Sequence, residues 1–245
     1  MFEERYSECS AYLDFLEGLD SAIQNGTPKI GGEDGFTISP DQQRILYSSV
    51  YLQLYNLVEA TITACLEAVS RTAMTNANWR VEDLSSELRR EWVRYTARTG
   101  LATNPQNRLD DALVLCNHLV AALPVGSFDI ERGGGGNWNE EKIRNIAKQV
   151  GIPLKLKRAS KTGVQKIVRD DMGAMKLIMS MRNKLAHGSI SFVECSRNDT
   201  PSDLRTISEN IGAYLRDVVT SFSQYIIDHQ FLRPESRPLT GEASF

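Results

Sequence analysis

The chain is poor in the residues that hold metals. It has three histidines and four cysteines in 245 residues. The cysteines, Cys9, Cys65, Cys116 and Cys195, stand far apart and form no CxxC pair. A zinc site needs such ligands clustered at short spacings, so no metal or other cofactor is expected. The four thiols read as reduced and mostly buried, as in a cytoplasmic protein. No apolar run reaches about 18 residues, which leaves no candidate for a membrane-spanning helix. The opening MFEERYSECS is acidic and amphipathic, unlike a secretory signal. The glycine run Gly133 to Gly136 lacks the GK[ST] of a phosphate-binding loop and follows no strand, so it reads as a flexible linker. No repeat with a period of about 20 to 50 residues is present.

What remains is an ordinary globular composition, 41% hydrophobic and 24% charged, with an uneven charge distribution. Between Lys142 and Ile190 there are 12 basic residues against two acidic ones, +10 locally, which leaves −13 for the rest of a chain whose net charge is −3. One basic third in an acidic protein suggests a specific surface for a polyanion. The bland alternative is a solvated face that pairs with acidic helices of the same fold. The candidates for contacting such a polyanion are Lys155, Lys157, Arg158, Lys161 and Lys184.

Hydrophobic spacing predicts helices along most of the chain. Residues 2 to 24 place Phe2, Tyr6, Cys9, Leu13, Leu16 and Ile23 on one helical face. Ser39-Pro40-Asp41-Gln42 is a helix start, with Ser39 as the cap and Gln42 three residues on. The helix that follows runs to about Thr75, with Leu52, Tyr55, Ile62 and Leu66 on a stripe that also carries Glu59. A carboxylate there is either paired or snorkels to the edge. Further helices are expected over Asp83 to Thr99, stopped by Gly100, and over Arg108 to Leu123. The first of these carries a row of Arg89, Arg90, Arg94 and Arg98; the second carries His118, read as a packed or surface residue. Asn139 starts a short helix ending at Gly151, and Pro153 to Lys161 reads as a basic loop. Ser189 to Cys195 alternates enough for a short extended segment. Thr200-Pro201-Ser202-Asp203 starts a last long helix. The tail from Arg233 is rich in Pro and polar residues and is expected to be disordered. These readings give an all-α fold of six to seven helices in a single domain over residues 1–232, with a tail over 233–245.

The rest is organised around Ile167 to Gly188, IVRDDMGAMKLIMSMRNKLAHG. Apolar nearly all round, it is expected to be a central helix that Gly188 terminates. Its last turns carry Arg182, Asn183 and His187. Asn183 lies four residues before His187 and so sits beside it, whereas Arg182 points about 140° away. A histidine titrates near neutrality and can move protons, and an arginine fork suits a phosphate. Alternatively, Arg182 and His187 simply pair with acids such as Glu59 in a packed bundle.

Arg182-Asn183-Lys184-Leu185-Ala186-His187-Gly188 resembles the RxxxxH signature of the HEPN superfamily. Tyr55-Asn56-Leu57-Val58-Glu59-Ala60, Gly136-Asn137 before a helix ending at Gly151-Ile152, and Ile190-Ser191-Phe192 before the last helix are similar to the RiboL-PSP and MAE-type HEPN families. The resemblance spans roughly residues 40 to 230 and implies a HEPN-like helical bundle. It also implies a metal-independent endoribonuclease in a toxin or anti-phage role, with RNA as substrate. One arginine and one histidine per chain are few for this chemistry. A twofold pair of chains would supply two of each, and the resemblance implies that homodimeric site and 2′,3′-cyclic phosphate products. An antitoxin protein is a further partner it implies; a membrane is not. In this reading Arg182, His187 and Asn183 are catalytic, and Glu59 holds Arg182 towards the cleft. The alternative is a non-catalytic HEPN module that binds a partner protein or nucleic acid.

Overall fold

The computed structural model describes residues 1–24, 29–30, 35–97, 104–133 and 136–238. Among them are nine α-helices: α1 (Phe2–Gln24), α2 (Pro40–Thr75), α3 (Ser86–Thr96), α4 (Pro105–Val120), α5 (Glu140–Gln149), α6 (Arg158–Gln165), α7 (Ala174–Ala186), α8 (Phe192–Cys195) and α9 (Pro201–Ile227). Two short antiparallel ladders accompany them, β1 (Lys29–Ile30) with β2 (Phe36–Thr37) and β3 (Ile167–Arg169) with β4 (Met172–Gly173). The fold is all-α. Seven of the helices are those that hydrophobic spacing predicts. The other two, α6 and α8, span eight and four residues and are too short to display a helical period. No helix among the described residues is long and apolar enough to cross a membrane. Arg98, the stop at Gly100, Gly134 and Gly135, and the tail from Leu239 lie outside the described residues.

The chain divides into two compact units. The first comprises Met1–Thr61, Gly136–Glu140 and Leu156–Asp217; the second comprises Ile62–Gly135, Glu141–Lys155 and Val218–Phe245. In the first unit α1 buries Phe2, Cys9, Leu13 and Leu16. The start of α2 buries Tyr51, Leu54, Tyr55 and Val58, α7 buries Met175, Leu177, Ile178 and Met181, and α9 buries Leu204, Ile207, Ile211 and Leu215. Each fully buried aliphatic side chain contributes about 1.5–3 kcal/mol. The predicted starts are present. Ser39 N–H donates to Gln42 Oε1 at 2.8 Å, and Gln42 N–H donates back to Ser39 Oγ at 3.3 Å, a reciprocal box that opens α2. Thr200 and Asp203 do the same for α9.

The second unit has its own core around Leu88, Trp92, Ile143, Ile146, Phe222, Tyr225 and Phe231. Ser85 caps α3 by accepting the Leu88 N–H at 3.2 Å. Tyr225 Oη donates to the Val150 carbonyl at 2.9 Å. His118 packs against Trp92, with ring centroids 4.9 Å apart. Arg233 N–H donates to the Asp83 carbonyl at 2.8 Å, and Ser236 Oγ donates to Asp83 Oδ1 at 2.7 Å. Residues 233–237, read from composition as the start of the tail, thus lie against Asp83.

Four expectations need correction. The motif helix starts at Ala174, not at Ile167. Asp170 and Asp171 both take left-handed backbone, φ 51 and 56, and turn the chain back between β3 and β4. Ile167 and Val168 are exposed on that hairpin. Gly173 lets it close on the preceding helix, because a Cβ there would lie 2.3 Å from the Val164 carbonyl oxygen. The extended segment expected after the motif helix is instead a single helical turn, α8, because Ser191 and Glu194 form a capping box. Arg158 and Lys161, expected in a loop, lie on α6. Of the thiols, Cys9 and Cys195 are buried, but Cys65 is half-buried and Cys116 exposed. Burial pushes Cys9 up to about 11 and Cys65 up to about 12, so both stay protonated.

Arg169 belongs to the basic segment, yet its charge is used internally. Its Nη1 donates to Asp199 Oδ1 at 2.9 Å, and Tyr51 Oη donates to Asp199 Oδ2 at 2.8 Å. The side chains of Arg169 and Asp199 are 23% and 9% exposed, so removing the cation leaves a nearly buried carboxylate without its counter-charge. Arg169→Met should therefore cost about 3 kcal/mol in urea unfolding, and Arg169→Met/Asp199→Asn should recover part of that loss.

Candidate functional site

The end of α7 is set by backbone geometry. Gly188 takes φ 67, the left-handed conformation that favours glycine. Its N–H donates to the Leu185 carbonyl at 3.2 Å, and the Ser189 N–H reaches back to the Lys184 carbonyl at 2.8 Å. This pair of bonds satisfies carbonyls that the helix end would otherwise leave open. The sharp stop leaves His187 as the C-cap residue, exposed to solvent. Its imidazole has no hydrogen-bond partner among the described residues, and no hydrogen bond joins it to Arg182.

Arg182, one helical turn earlier, is half-buried. Its guanidinium carbon sits 4.7 Å from the centroid of the Tyr55 ring. A cation over an aromatic face is worth about 0.5–2 kcal/mol, more as water is excluded. Arg182 Nη1 donates to Asn183 Oδ1 at 3.0 Å, and Asn183 Nδ2 donates to Asn137 Oδ1 at 2.9 Å. Tyr55 is itself fixed, because its hydroxyl oxygen accepts the Trp138 N–H at 3.3 Å. Burial raises the Tyr55 phenol, the Trp138 bond lowers it, the nearby Glu59 raises it and Arg182 lowers it; the net direction is up. The ring therefore stays neutral beneath the cation. Tyr55, Asn137, Trp138, Arg182, Asn183 and His187 all belong to the first unit.

The structure brings together only part of the expected set. Asn183 holds Arg182 and does not orient the His187 ring. No ion pair or hydrogen bond joins Glu59 to Arg182, so the expected positioning role is corrected. Tyr55, one turn before Glu59, and Asn183 occupy the guanidinium instead. The Glu59 carboxylate lies beside Gly136, where a Cβ would stand 2.9 Å from Oε1 and 3.4 Å from the Tyr55 hydroxyl. Glycine at 136 is what lets the 136–138 segment run close along α2. Tyr55 and Asn137 sat in the strings that carry the HEPN resemblance, but their spacing from Arg182 assigned them no role.

The expected RNA contacts divide. Arg158, Lys161 and Lys184 are exposed and make no ion pair among the described residues. Lys157 is exposed, with Nζ 3.7 Å from Asp217 Oδ1. Lys155 falls in the second unit, where its N–H donates to Ser221 Oγ at 3.0 Å. Among the described residues no group of three or more His, Cys, Asp or Glu side chains is placed to hold a metal ion. A cavity of about 700 Å³ in the second unit, lined by Glu91, Trp92, Arg94, His118 and Glu131 among others, contains none of the motif residues.

The family model for HEPN_MAE_28990-like HEPN matches residues 1–231. No curated protein and no solved structure matches the chain.

The support beneath Arg182 can be tested apart from any activity. Tyr55→Phe keeps the ring but removes the acceptor of a Trp138 N–H that is buried with its residue. Chemical unfolding should show a loss of about 0.5–1.5 kcal/mol, the net contribution of one hydrogen bond.

Proposed function

We propose that this chain, which belongs to the HEPN_MAE_28990-like HEPN family, is an endoribonuclease that needs no metal ion and completes its active site by pairing with a second copy. The observation that carries this reading is the pre-set Arg182. Its guanidinium rests on a neutral ring and an amide oxygen, so its charge is not spent on a carboxylate. A planar fork held in this way suits a phosphodiester and the extra charge of the phosphorane. His187 at the exposed helix end suits proton transfer.

In this scheme one His187 takes the proton from the ribose 2′-hydroxyl. The 2′-oxygen attacks phosphorus, the bond to the 5′-oxygen breaks, and that oxygen receives a proton from the His187 of the second copy. The products are a 2′,3′-cyclic phosphate and a 5′-hydroxyl. Arg182 from each chain balances the charge on the transferring phosphoryl group. Asn183, anchored by Asn137, keeps Arg182 from swinging with the solvent. Lys157, Arg158, Lys161 and Lys184, all in the first unit, guide the strand. The family match covers residues of both compact units. A toxin or anti-phage role in the cytoplasm, with an antitoxin as partner, fits an enzyme that destroys RNA.

The second reading, a binding module without catalysis, draws on one observation: the His187 ring has no orienting partner among the described residues. One experiment separates the two. Purified protein is incubated with total RNA in EDTA, beside His187→Ala. Cleavage is expected in the wild type alone, with cyclic phosphate ends. Binding without cleavage, or cleavage that survives the substitution, would overturn the nuclease reading. Dilution gives a further check. Specific activity should fall as the dimer dissociates in sedimentation, whereas a fully active monomer would exclude the composite site.

A further inference from the structure

The second unit carries a set of arginines that the motif chemistry does not use. Arg89 is pinned by three bonds to backbone carbonyls: Nε to Val81 at 3.2 Å, and Nη2 to Glu82 at 2.8 Å and to Leu84 at 3.0 Å. Arg237 donates Nε to the Leu232 carbonyl at 3.1 Å and is exposed. Arg90 is exposed and has no partner among the described residues. Among the described residues, none of the three faces a carboxylate within ion-pair distance. Their neighbours differ: Arg94 bonds Glu91 and Glu131, and Arg233 Nη2 lies 3.6 Å from Asp83 Oδ1.

These side chains line two open clefts that share Ser86 and Arg89. One, of about 440 Å³, adds Arg233 and Arg237; the other, of about 550 Å³, adds Arg90 and Arg94. The carboxylate in their walls is Glu87, which accepts a bond from Ser86 Oγ at 2.8 Å. Three uncompensated guanidinium groups against one carboxylate leave the pair of clefts positive. The first turn of α3, capped at Ser85, adds its own N–H groups at the same place.

We propose that these joined clefts form a groove for the phosphodiester backbone of a single RNA strand. Guanidinium groups held by carbonyls keep their full charge and lose little freedom on meeting a phosphate. They are spread along two adjoining clefts, so successive phosphates of a chain are a better match than one small anion. The clefts are open, which suits a strand lying across them. The choice of RNA as the strand rests on the endoribonuclease reading; the groove itself rests on the arginines.

The test uses the full chain carrying His187→Ala, so that binding is read without turnover. Anisotropy of a labelled oligoribonucleotide is followed between about 50 and 200 mM salt. Adding Arg90→Glu and Arg237→Glu should weaken binding about tenfold and lower the log–log salt slope by about 1.4, the share of two single-strand phosphate contacts. The milder pair Arg90→Gln and Arg237→Gln should give the same change in slope with an unchanged melting temperature. An unchanged slope in the glutamine pair overturns the groove. Inorganic pyrophosphate displacing the oligonucleotide at equal concentration would also overturn it, because that marks a site for one small anion. An unchanged slope in the glutamine pair, with RNA cleavage by the chain that retains His187, sinks the groove alone. A lowered slope in a protein that never cleaves RNA sinks the nuclease reading alone.

Discussion

The end of α7 in the first unit depends on keeping a guanidinium at the mouth of an apolar helix without a carboxylate to neutralise it. Arg182 follows Met181, which is buried, and precedes Leu185, which is buried too. A cation there must be held by something, or it swings into solvent and the helix end frays. The Tyr55 ring supplies a face that attracts charge without cancelling it. That ring is useful only while it stays neutral and in place: burial keeps the phenol protonated, and the bond from the Trp138 N–H holds the ring where it is. Gly136 in turn allows the segment bearing Trp138 to approach α2. The chain of dependence runs from a missing Cβ, through one backbone bond, to an aromatic face and then to the cation.

The other half of the geometry is a stop. A helix that simply frayed at His187 would present its ring over many positions. The paired bonds from Gly188 and Ser189 fix the final turn, so the place of the His187 backbone relative to Arg182 is set by local structure. The ring is not held. Arg182 is held by the Tyr55 ring and Asn183, whereas the His187 ring has no hydrogen-bond partner among the described residues.

Much of this was legible in the sequence. The starts of α2 and α9, the glycine stop of α7 and the membership of Arg182, Asn183 and His187 in one helix end follow from local rules of capping and periodicity. The same local rules misled at Ile167, where a hydrophobic run looked helical. The deciding feature there is the pair of left-handed aspartates, whose conformation depends on strand pairing three residues apart. Short helices such as α8 leave too few residues for a period to show. Tertiary partners were the least legible. Glu59 and Arg182 looked like natural partners because both were expected to face inward. The actual choice was made by Asn137 and Trp138, some eighty residues along the chain from Tyr55, and no spacing rule reports that.

Charge counting fails for the same reason, and the structure supplies a better criterion. The basic third of the sequence contains Arg169, whose charge is consumed by Asp199, and Lys157, which lies near Asp217. The acidic remainder contains Arg89, Arg90 and Arg237, which make no ion pair among the described residues. Arg205, bonded to Glu17 at 2.8 Å, and Arg216, bonded to Glu3 at 2.9 Å, tie helices together and offer little to an outside anion. An arginine held by carbonyls, an amide or a ring behaves differently. It has already lost its freedom, yet its field still reaches outward, so a phosphate that meets it gains the attraction with less ordering cost. By that criterion Arg182 in the first unit and Arg89 in the second are cations of one kind. Sequence composition assigns them to regions of opposite net charge, whereas both are held by groups that leave their charge unneutralised.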